Sequence, residues 1–433
     1  MNMKKNLSIV MLVLLGIAWY ITLSTWLGNE KKYNNLVAEA KRFEQKGLYL
    51  DAISQYEEAK RISSDQLILD EYIADVYLAM GDYKEYRKKL NAIIAAYGPV
   101  EQDVVKLYEF TQEYFSEDSV IELVSDLYDQ YPDSEIVLHY YNGVKGIYAE
   151  RTCVYDRIYD FSGNFAVYEQ AGKKGVIGLD GKVVVDAAYD EIAFNEKDPQ
   201  VISVKDGNDC YSMNQKGYRT RVPDESYTSL GMVSQSRIVA EKNGKYGYLD
   251  KKFGEKTEFI YDSATPFYES IGAVKQGDKW ALINRKGELI TEFLYDAVVQ
   301  NSKGICSVNK MIAVKQNDAY FFVNEKGERL SDKKYDDIKA FEAEEMCAVC
   351  VDGKWGYIDR DEQMIIECSY EDARSFTNGY AAVMQNGLWG YIDRNNYMTI
   401  SPVFDDAGLM TEGGVAPVCH GATWTLIQLK IME

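Results

Sequence analysis

The stretch DGKWGYIDR at residues 352–360 returns as NGLWGYIDR at residues 386–394. A phrase that recurs at a fixed spacing indicates a repeated structural unit and points to architecture before it points to chemistry. We take the position of Trp355 as the anchor of this unit. The equivalent positions are Lys174, Cys210, Tyr246, Trp280, Tyr320, Trp355, Trp389 and Trp424, at spacings of 34 to 40 residues. The second part of the chain is therefore predicted to be a tandem array.

Each unit predicts short antiparallel strands. An alternating apolar run such as residues 381–384 leads into the Asn-Gly dipeptide at 386–387, and the W-G-Y-I-D stretch follows. Asn-Gly and Asp-Gly favour two-residue hairpin turns, because both central positions need positive φ. Fifteen residues after most anchors stands an aromatic-acid pair: Tyr189-Asp190, Tyr261-Asp262, Tyr295-Asp296, Tyr335-Asp336, Tyr370-Glu371 and Phe404-Asp405. The unit is predicted to be a meander of three or four short strands.

The Trp-Gly pair is interpreted as a packing device. Alternation along a strand puts Trp355 and Tyr357 on one face and Gly356 on the other. A glycine leaves a slot where a neighbouring backbone or ring can approach closely. Paired acids such as Asp336-Asp337 and Asp405-Asp406 invite a glycosidase interpretation, but they fall on the aromatic-acid position of the repeat. A structural role explains them better, because short carboxylates at turns accept backbone N–H bonds.

These residues make the segment similar to the WG repeat family, which is named for its Trp-Gly pair. Trp355-Gly356 and Trp389-Gly390 match that pair fully, and Tyr246-Gly247 is a near match. The family consists of tandem β-rich units found in bacterial proteins. The resemblance implies binding rather than catalysis.

The array is predicted to close into a ring. Residues 155–161 match the later half of a unit, and the chain ends after Trp424 with only an earlier half. Together the two fragments would complete an eighth unit, as in toroids whose last blade is shared between the chain ends. We predict an eight-bladed propeller-like ring over residues 151–433, with an open β-solenoid as the alternative. The longest unit has extra residues across Gln300 to Ile305, which are predicted to form either a binding rim or a neutral loop.

Residues 30–150 are predicted to be helical repeats. Gly47 is followed by Tyr49, Ala52, Tyr56 and Ala59, and Gly81 is followed by residues at the same offsets, so the period is 34. This pattern resembles the tetratricopeptide repeat, and a weaker third copy begins at Ser116. The resemblance implies a solenoid of α-hairpins with a concave groove that binds a peptide or protein. The candidate groove residues are Lys41, Glu44, Asp75 and Leu78; a short spacer is the alternative.

Residues 7–27 form a largely apolar run that predicts a transmembrane helix. At roughly 1.5 Å per residue the run spans a hydrocarbon core of about 30 Å. A cleaved signal peptide is the alternative, but no small-residue cleavage site stands near Thr25 to Asn29. Lys4 and Lys5 precede the run, so the positive-inside rule weakly places residues 1–6 in the cytoplasm. The prediction is a single-pass anchor in the cell membrane, with the bulk of the chain extracytoplasmic.

Composition excludes some functions. The 433-residue chain carries a net charge of −20 at pH 7, whereas nucleic-acid binding needs a basic stripe. Its seven cysteines are an odd number, which argues mildly against an oxidising compartment. Cys347 and Cys350 lie in a predicted strand, where residues three apart point to opposite faces and cannot hold one metal ion. No metal site and no cofactor are predicted.

The preferred function is a membrane-anchored, non-catalytic scaffold that binds protein or peptide partners through its helical repeats and its β ring. Two repeat families in tandem favour it, and the histidines, His139 and His420, belong to no recognisable catalytic constellation. The alternative is a cell-surface carbohydrate-binding propeller with exposed tryptophans as sugar platforms. That alternative fails if Trp280, Trp355 and Trp389 are all buried. Glycoside hydrolysis by a carboxylate pair is a minor alternative.

Overall fold

The structure of the protein is a computed structural model. It describes residues 15, 19, 27–63, 66–194, 202–214, 216–221, 223, 227–342 and 346–431. The chain divides into two compact units, with the boundary between Val144 and Lys145. The first unit is helical, and the second is built from β-sheets.

The predicted membrane segment falls largely outside the described residues. Of residues 7–27 only Leu15, Trp19 and Leu27 are described, and the predicted tail, residues 1–6, is not. Among the helices that the structure describes, none is long and apolar enough to cross a bilayer. The membrane anchor therefore stays a prediction.

The helical unit contains seven helices within residues 27–144. They are α1 (27–45), α2 (Tyr49–Lys60), α3 (Gln66–Met80), α4 (Tyr83–Tyr97), α5 (Glu101–Tyr114), α6 (Glu117–Gln130) and α7 (Glu135–Val144). Each helix buries one apolar stripe; in α2 the buried residues are Ala52, Tyr56 and Ala59, which lie on one face at helical spacing. The stripes of successive helices meet in two buried clusters.

The turns after α1 and α3 have the same geometry, in agreement with the period of 34 residues. Gly47 and Gly81 have φ of +70° and +76°, a conformation that glycine adopts without steric cost. Each glycine N–H bonds to the carbonyl oxygen three residues earlier, at 2.8 and 3.0 Å respectively. The third copy has no glycine turn. Instead Ser116 caps α6, where its hydroxyl oxygen accepts the Ser119 N–H at 3.3 Å.

The second unit is an eight-bladed β-propeller of antiparallel sheets. Blade 1 contains Arg157–Ile158, Phe165–Gln170, Lys173–Gly178 and Val183–Tyr189, and blade 2 contains Glu191–Phe194, Ile202–Asp206, Asp209–Met213 and Arg219–Arg221. Blade 3 contains Ser229–Ser234, Arg237–Lys242 and Lys245–Asp250, and blade 4 contains Ser263–Ala264, Ile271–Gln276 and Lys279–Asn284. Blade 5 contains Ala297–Val298, Ile312–Gln316 and Ala319–Val323, and blade 6 contains Asp337–Ile338, Cys347–Val351, Lys354–Ile358 and Met364–Tyr370. Blade 7 contains Asp372–Ala373, Tyr380–Gln385, Leu388–Asp393 and Met398–Phe404, and blade 8 contains Asp406–Ala407, Val415–His420, Thr423–Leu429 and Tyr148–Glu150.

Blade 8 is shared between the two ends of the unit. Tyr148–Glu150 pairs antiparallel with Thr423–Leu429, and Tyr155 forms a bridge with Trp424. Neighbouring blades contact each other all round the ring, including blade 8 with blade 1. The predicted ring of eight units is therefore confirmed, and the open solenoid is wrong. The predicted boundary at residue 150 falls inside this unit, because Tyr148–Glu150 completes its last sheet.

The hairpin turns have the conformation that their dipeptides predict. Asn243, Asp352 and Asn386 have φ between +51° and +54°, and each is followed by a glycine that also has positive φ. In blades 3, 4 and 5 the fourth strand is reduced to isolated bridges, which include Tyr246–Tyr261, Trp280–Tyr295 and Tyr320–Tyr335. Blades of three and of four strands therefore occur in one ring.

Candidate interaction sites

The Trp-Gly pair packs the edge of its blade. Trp355 and Trp389 are buried, with 7% and 5% of their surface exposed. A Cβ added to Gly356 would lie 2.5 Å from the carbonyl oxygen of Ile366, and one added to Gly390 would lie 2.4 Å from a carbonyl oxygen of its own outer strand. The pairing register shifts at this position because the outer strand bulges over the glycine. Only glycine leaves room for that backbone, so the motif is a packing device, as predicted.

The tyrosine two residues after Trp355, and the one two residues after Trp389, connect neighbouring blades. Tyr357 and Tyr391 are completely buried. Tyr357 donates its hydroxyl hydrogen to the carbonyl oxygen of Arg374 at 3.0 Å, and Tyr391 donates to that of Gly408 at 2.9 Å. Burial raises the pKa of both phenols, so they stay protonated and keep donating. The Trp-Gly-Tyr sequence therefore fastens one blade to the next.

Two cations cover the buried indoles. The Lys339 ammonium lies 4.6 Å from the centre of the Trp355 ring, and the Arg374 guanidinium lies 5.1 Å from that of Trp389. Arg374 also donates to Asp406 of blade 8 at 2.7 Å. A cation over an aromatic face is a favourable contact. It also occupies the face on which a sugar ring would stack.

The aromatic-acid pairs hold turns together. Each carboxylate accepts the backbone N–H of a hairpin turn in the next unit, at 2.6 to 3.4 Å. The pairs are Asp190 with Gly207, Asp262 with Gly277, Asp296 with Asn317, Asp336 with Gly353, Glu371 with Gly387, and Asp405 with Gly421. Lys279 beside Asp296, together with the turn N–H, lowers the pKa of that carboxyl. These acids are therefore turn caps. In Asp190, Asp262 and Asp296 the neighbouring lysine and the turn N–H lower the pKa, which is the opposite of the raised pKa that a general acid of a glycosidase needs.

The four predicted groove residues lie on two helices of the helical unit. Lys41 and Glu44 are on α1, and Asp75 and Leu78 are on α3. Lys41 and Asp75 are exposed, Leu78 is 38% exposed and Glu44 is half-buried. Their assignment as a binding site stays a prediction.

Sequence reasoning missed three neighbours of these residues. The Lys41 ammonium lies 5.0 Å from the centre of the Tyr72 ring, and Tyr56 donates its hydroxyl hydrogen to Glu44. The pKa of the Asp75 carboxyl is raised by its partial removal from water, against the nearby Lys106 ammonium on α5. The helical period could have suggested Tyr72 and Lys106, because each is 31 residues from its partner on the previous repeat. Tyr56 is 12 residues from Glu44, within one repeat.

A central channel runs through the propeller, where the segments between the first and second strands of the blades converge. Four cavities of about 430, 390, 350 and 260 Å³ border it. All eight blades contribute to their walls, with residues that include Ser162, Phe194, Tyr268, Glu342, Thr377 and Met410. The channel is therefore a candidate binding cavity of this unit.

The extra residues across Gln300 to Ile305 lie in this channel. Asn301 borders the cavities of about 430 and 260 Å³, and Ser302 borders the cavities of about 260, 350 and 390 Å³. The insertion therefore turns inward, and its role as a binding rim or a neutral loop stays a prediction. The irregular length of this unit is the only sequence signal that marks it.

The next feature is the set of possible metal ligands and thiols among the described residues. No group of three or more His, Cys, Asp or Glu side chains there could hold a metal ion. Cys347 and Cys350 belong to different apolar clusters on the two faces of their strand. Burial raises the pKa of both thiols, so they behave as small buried hydrophobic residues.

Known proteins give the family of the chain. The model of the WG containing repeat matches residues 152–173, 246–280, 281–318, 320–355, 355–389 and 389–424. No curated protein matches the sequence. These matches recur along the propeller. The propeller can also be compared with solved structures, and such a comparison concerns its fold alone.

Solved structures that resemble the chain are distant. They include a eukaryotic initiation factor (11% identity, TM-score 0.42, 61% of this chain and 82% of that chain). The AfRom2 CNH domain has 10% identity and a TM-score of 0.35, over 66% of this chain and 96% of that chain. The Neurospora crassa Pan2 WD40 domain has 10% identity and a TM-score of 0.31, over 56% of this chain and 89% of that chain. These similarities are too weak to carry a functional argument. The family matches and the eight-bladed ring agree, however, and the chain belongs to the WG β-repeat family.

Proposed function

We propose that the protein is a membrane-anchored, non-catalytic scaffold that binds protein or peptide partners. The observation that carries this proposal is that the recurring residues of the repeat are used internally: indoles, tyrosines and acids of the ring contact neighbouring strands and turns. A ring whose motif residues are used in packing presents its loops and channel to partners, as repeat proteins do.

The helical unit supplies the proposed peptide groove. Its likeness to tetratricopeptide repeats rests on the sequence pattern and on the matching glycine turns at Gly47 and Gly81. Lys41, Asp75 and Leu78 offer a cation, an anion and an apolar side chain on adjacent first helices of two repeats. Such a mixture suits a peptide with both charged and apolar side chains.

The membrane anchor is the second part of the proposal. Residues 7–27 have the length and apolarity of a single-pass helix, and Lys4 and Lys5 favour a cytoplasmic N-terminus. The bulk of the chain would then be extracytoplasmic. A cysteine introduced at Tyr218, which is 68% exposed, tests this orientation. A membrane-impermeant maleimide should label Tyr218→Cys in intact cells, whereas labelling only after permeabilisation would reverse the proposed topology.

Carbohydrate binding is the weaker candidate. Of the three indoles proposed as platforms, Trp355 and Trp389 are buried and Trp280 is half-buried. A sugar site needs exposed aromatic ring faces, so only the half-buried Trp280 could still contribute part of a stacking surface. It therefore serves as an alternative outcome of the binding experiment.

Affinity capture with the full-length protein tests the scaffold proposal. After cross-linking in its native cells, the wild-type protein should recover a specific protein, and Asp75→Lys should lose it because the groove charge is reversed. The matched control is Glu122→Lys on α6, an exposed residue outside the predicted groove, which should keep the partner. Equal capture by Asp75→Lys would remove the groove from the proposal. Recovery of no protein, together with binding on a glycan array, would favour carbohydrate.

A further inference from the structure

The cavity of about 390 Å³ lies mainly where blades 1, 2 and 3 face the central channel. Its wall is largely apolar and includes Ile192, Phe194 and Met232, which are buried residues of blades 2 and 3. Small-molecule sites in proteins are mostly apolar clefts of about 300–1,000 Å³ with a few polar groups. This cavity is therefore large enough for a ligand of its own.

Short side chains leave this space open. The position concerned lies four residues after the aromatic residue that precedes the first strand of a blade. In blades 6 and 7 it holds Lys339 and Arg374, which cover the anchor indoles of those blades. In blades 2 and 3 the same position holds Ala193 and Gly231, and both border the cavity. The cavity therefore lies where the ring lacks these long side chains.

Lys174 brings a positive charge to the cavity that it borders. It occupies the anchor position of blade 1, where blades 6 and 7 have tryptophan, and its ammonium lies 5.8 Å from the centre of the Tyr159 ring. Glu169 is opposite Lys174 in the strand pairing, but its carboxylate accepts the Tyr159 hydroxyl hydrogen at 3.3 Å. Within the described part of the chain, no carboxylate oxygen comes within 4.0 Å of the Lys174 ammonium. An anion in the cavity could therefore pair with it.

The other charged residues of the wall leave the cavity positive. Lys303 of the inserted loop contributes a second ammonium. Among the described residues Asp160 contributes the one carboxylate that borders the cavity, and one of its oxygens accepts the Leu409 N–H of blade 8 at 2.7 Å. Two cations and one anion thus line this cavity, in a chain whose net charge is −20. The cavity therefore favours an anion.

We propose that this cavity binds a small amphiphilic anion, with an apolar or aromatic body against Phe194 and Met232 and a carboxylate at the Lys174 ammonium. Burial of the apolar body and a charge-assisted hydrogen bond to the carboxylate would both favour such a ligand. The site is separate from the helical groove of the scaffold proposal, so either proposal can fail without the other.

Calorimetric titration of the full-length protein with cinnamate tests the site. Its neutral counterpart, cinnamamide, has the same aromatic body without the charge. The wild-type protein should bind one cinnamate per chain, about tenfold more tightly than cinnamamide, because only cinnamate forms a charged hydrogen bond. Lys174→Met should remove this preference, and Lys174→Arg should keep it.

Lys173 provides the matched charge control. Its ammonium pairs with Asp190 at 2.6 Å, and it does not border the cavity. Lys173→Met should therefore keep the preference for cinnamate. Equal loss of the preference in Lys173→Met and Lys174→Met would overturn the proposal, because it would show a general effect of charge.

A variant that fills the cavity tests its apolar part. Ala193→Leu should weaken the binding of both probes about tenfold, because the longer side chain takes up the space of the aromatic body. Ala188→Leu, on the outer strand of blade 1, changes an exposed residue that does not border the cavity and should leave both affinities unchanged.

The lysine variants decide the matter if Ala193→Leu fails to fold. A wild-type protein that does not bind cinnamate at millimolar concentration, or that binds cinnamate and cinnamamide equally, would overturn the proposal. Unchanged binding in a folded Ala193→Leu variant would do the same.

Discussion

Blades 7 and 2 are two versions of one unit that differ at the position of the motif glycine. Blade 7 has Trp389-Gly390-Tyr391, and its outer strand bulges over the glycine. Blade 2 has Cys210-Tyr211-Ser212 at these positions; Tyr211 is buried, and the Arg219 guanidinium of the short outer strand lies 3.9 Å from the centre of its ring. A bulged strand over glycine and a short strand over tyrosine are thus two solutions to the same packing problem. The motif belongs to the architecture of its own blade.

The two blades also contact their neighbours differently. Tyr391 reaches blade 8 through a buried hydrogen bond. At the equivalent position of blade 2 stands Ser212, and that blade packs against blade 3 with Cys210, which shares an apolar cluster with Leu230 and Ala240. The ring therefore closes with directional contacts where the motif is complete and with apolar packing where it is not.

The largest expected difference between the blades involves the residue four positions after the anchor. In blade 7 this residue is Asp393, which is buried with Lys145 at 2.5 Å, whereas blade 2 has the neutral Asn214. Lys145→Met should lower the free energy of unfolding by about 3–5 kcal/mol, because it leaves a buried carboxylate without its cation. Urea unfolding of the full-length protein measures this loss.

Two further variants sharpen that measurement. Lys256→Met removes a similar but partly exposed partner, that of Asp250 in blade 3, and should cost less than about 1 kcal/mol. Adding Asp393→Asn to Lys145→Met gives blade 7 the neutral residue of blade 2 and should restore most of the lost stability. Equal losses for the two lysines would show that burial of the pair is unimportant.

The next difference concerns the glycine. Gly390→Ala places a Cβ 2.4 Å from a backbone carbonyl oxygen, so the outer strand must move, and we expect a loss of about 3 kcal/mol. Gly231→Ala in blade 3 is the control, since its Cβ would meet its nearest atom at 3.4 Å. It should change stability by less than about 1 kcal/mol. If both variants were equally stable in thermal unfolding, the glycine would have no packing role.

The smallest expected effect comes from the hydroxyl between blades 7 and 8. Tyr391→Phe leaves the buried carbonyl oxygen of Gly408 without its donor, which should cost about 1–2 kcal/mol. Tyr218→Phe in blade 2 removes a hydroxyl from a side chain that is 68% exposed and should have no measurable effect. Chemical unfolding of both proteins separates the two cases. A neutral Tyr391→Phe would mean that the hydroxyl does not stabilise the contact between the blades.

Sequence patterns were sufficient for the ring. Alternating apolar residues and Asn-Gly turns act within one unit, so the strands, the turns and the shared blade could be predicted from local signals. The close approach at Gly390 was also predictable in kind, because glycine within a strand marks a backbone contact. The groove residues Lys41 and Asp75 and the membrane segment at residues 7–27 stay predictions.

Contacts between distant residues were not predictable from these signals. Lys145 and Asp393 are 248 residues apart, and Ser302 and Glu342 are 40 apart. The local pattern does not indicate which loop turns toward the centre of the ring or which acidic residue it contacts. Such contacts depend on how the blades are arranged around the ring. The inward turn of residues 300–305 was not predicted for this reason.

The central claim is that the motif glycine is useful only in a blade whose outer strand bulges over it. The free energy of unfolding of Tyr211→Gly tests this claim most directly, since it gives blade 2 the glycine of the family motif. We expect a loss of about 3–5 kcal/mol, because a buried ring and its contact with Arg219 disappear. A variant more stable than the wild type would contradict the claim.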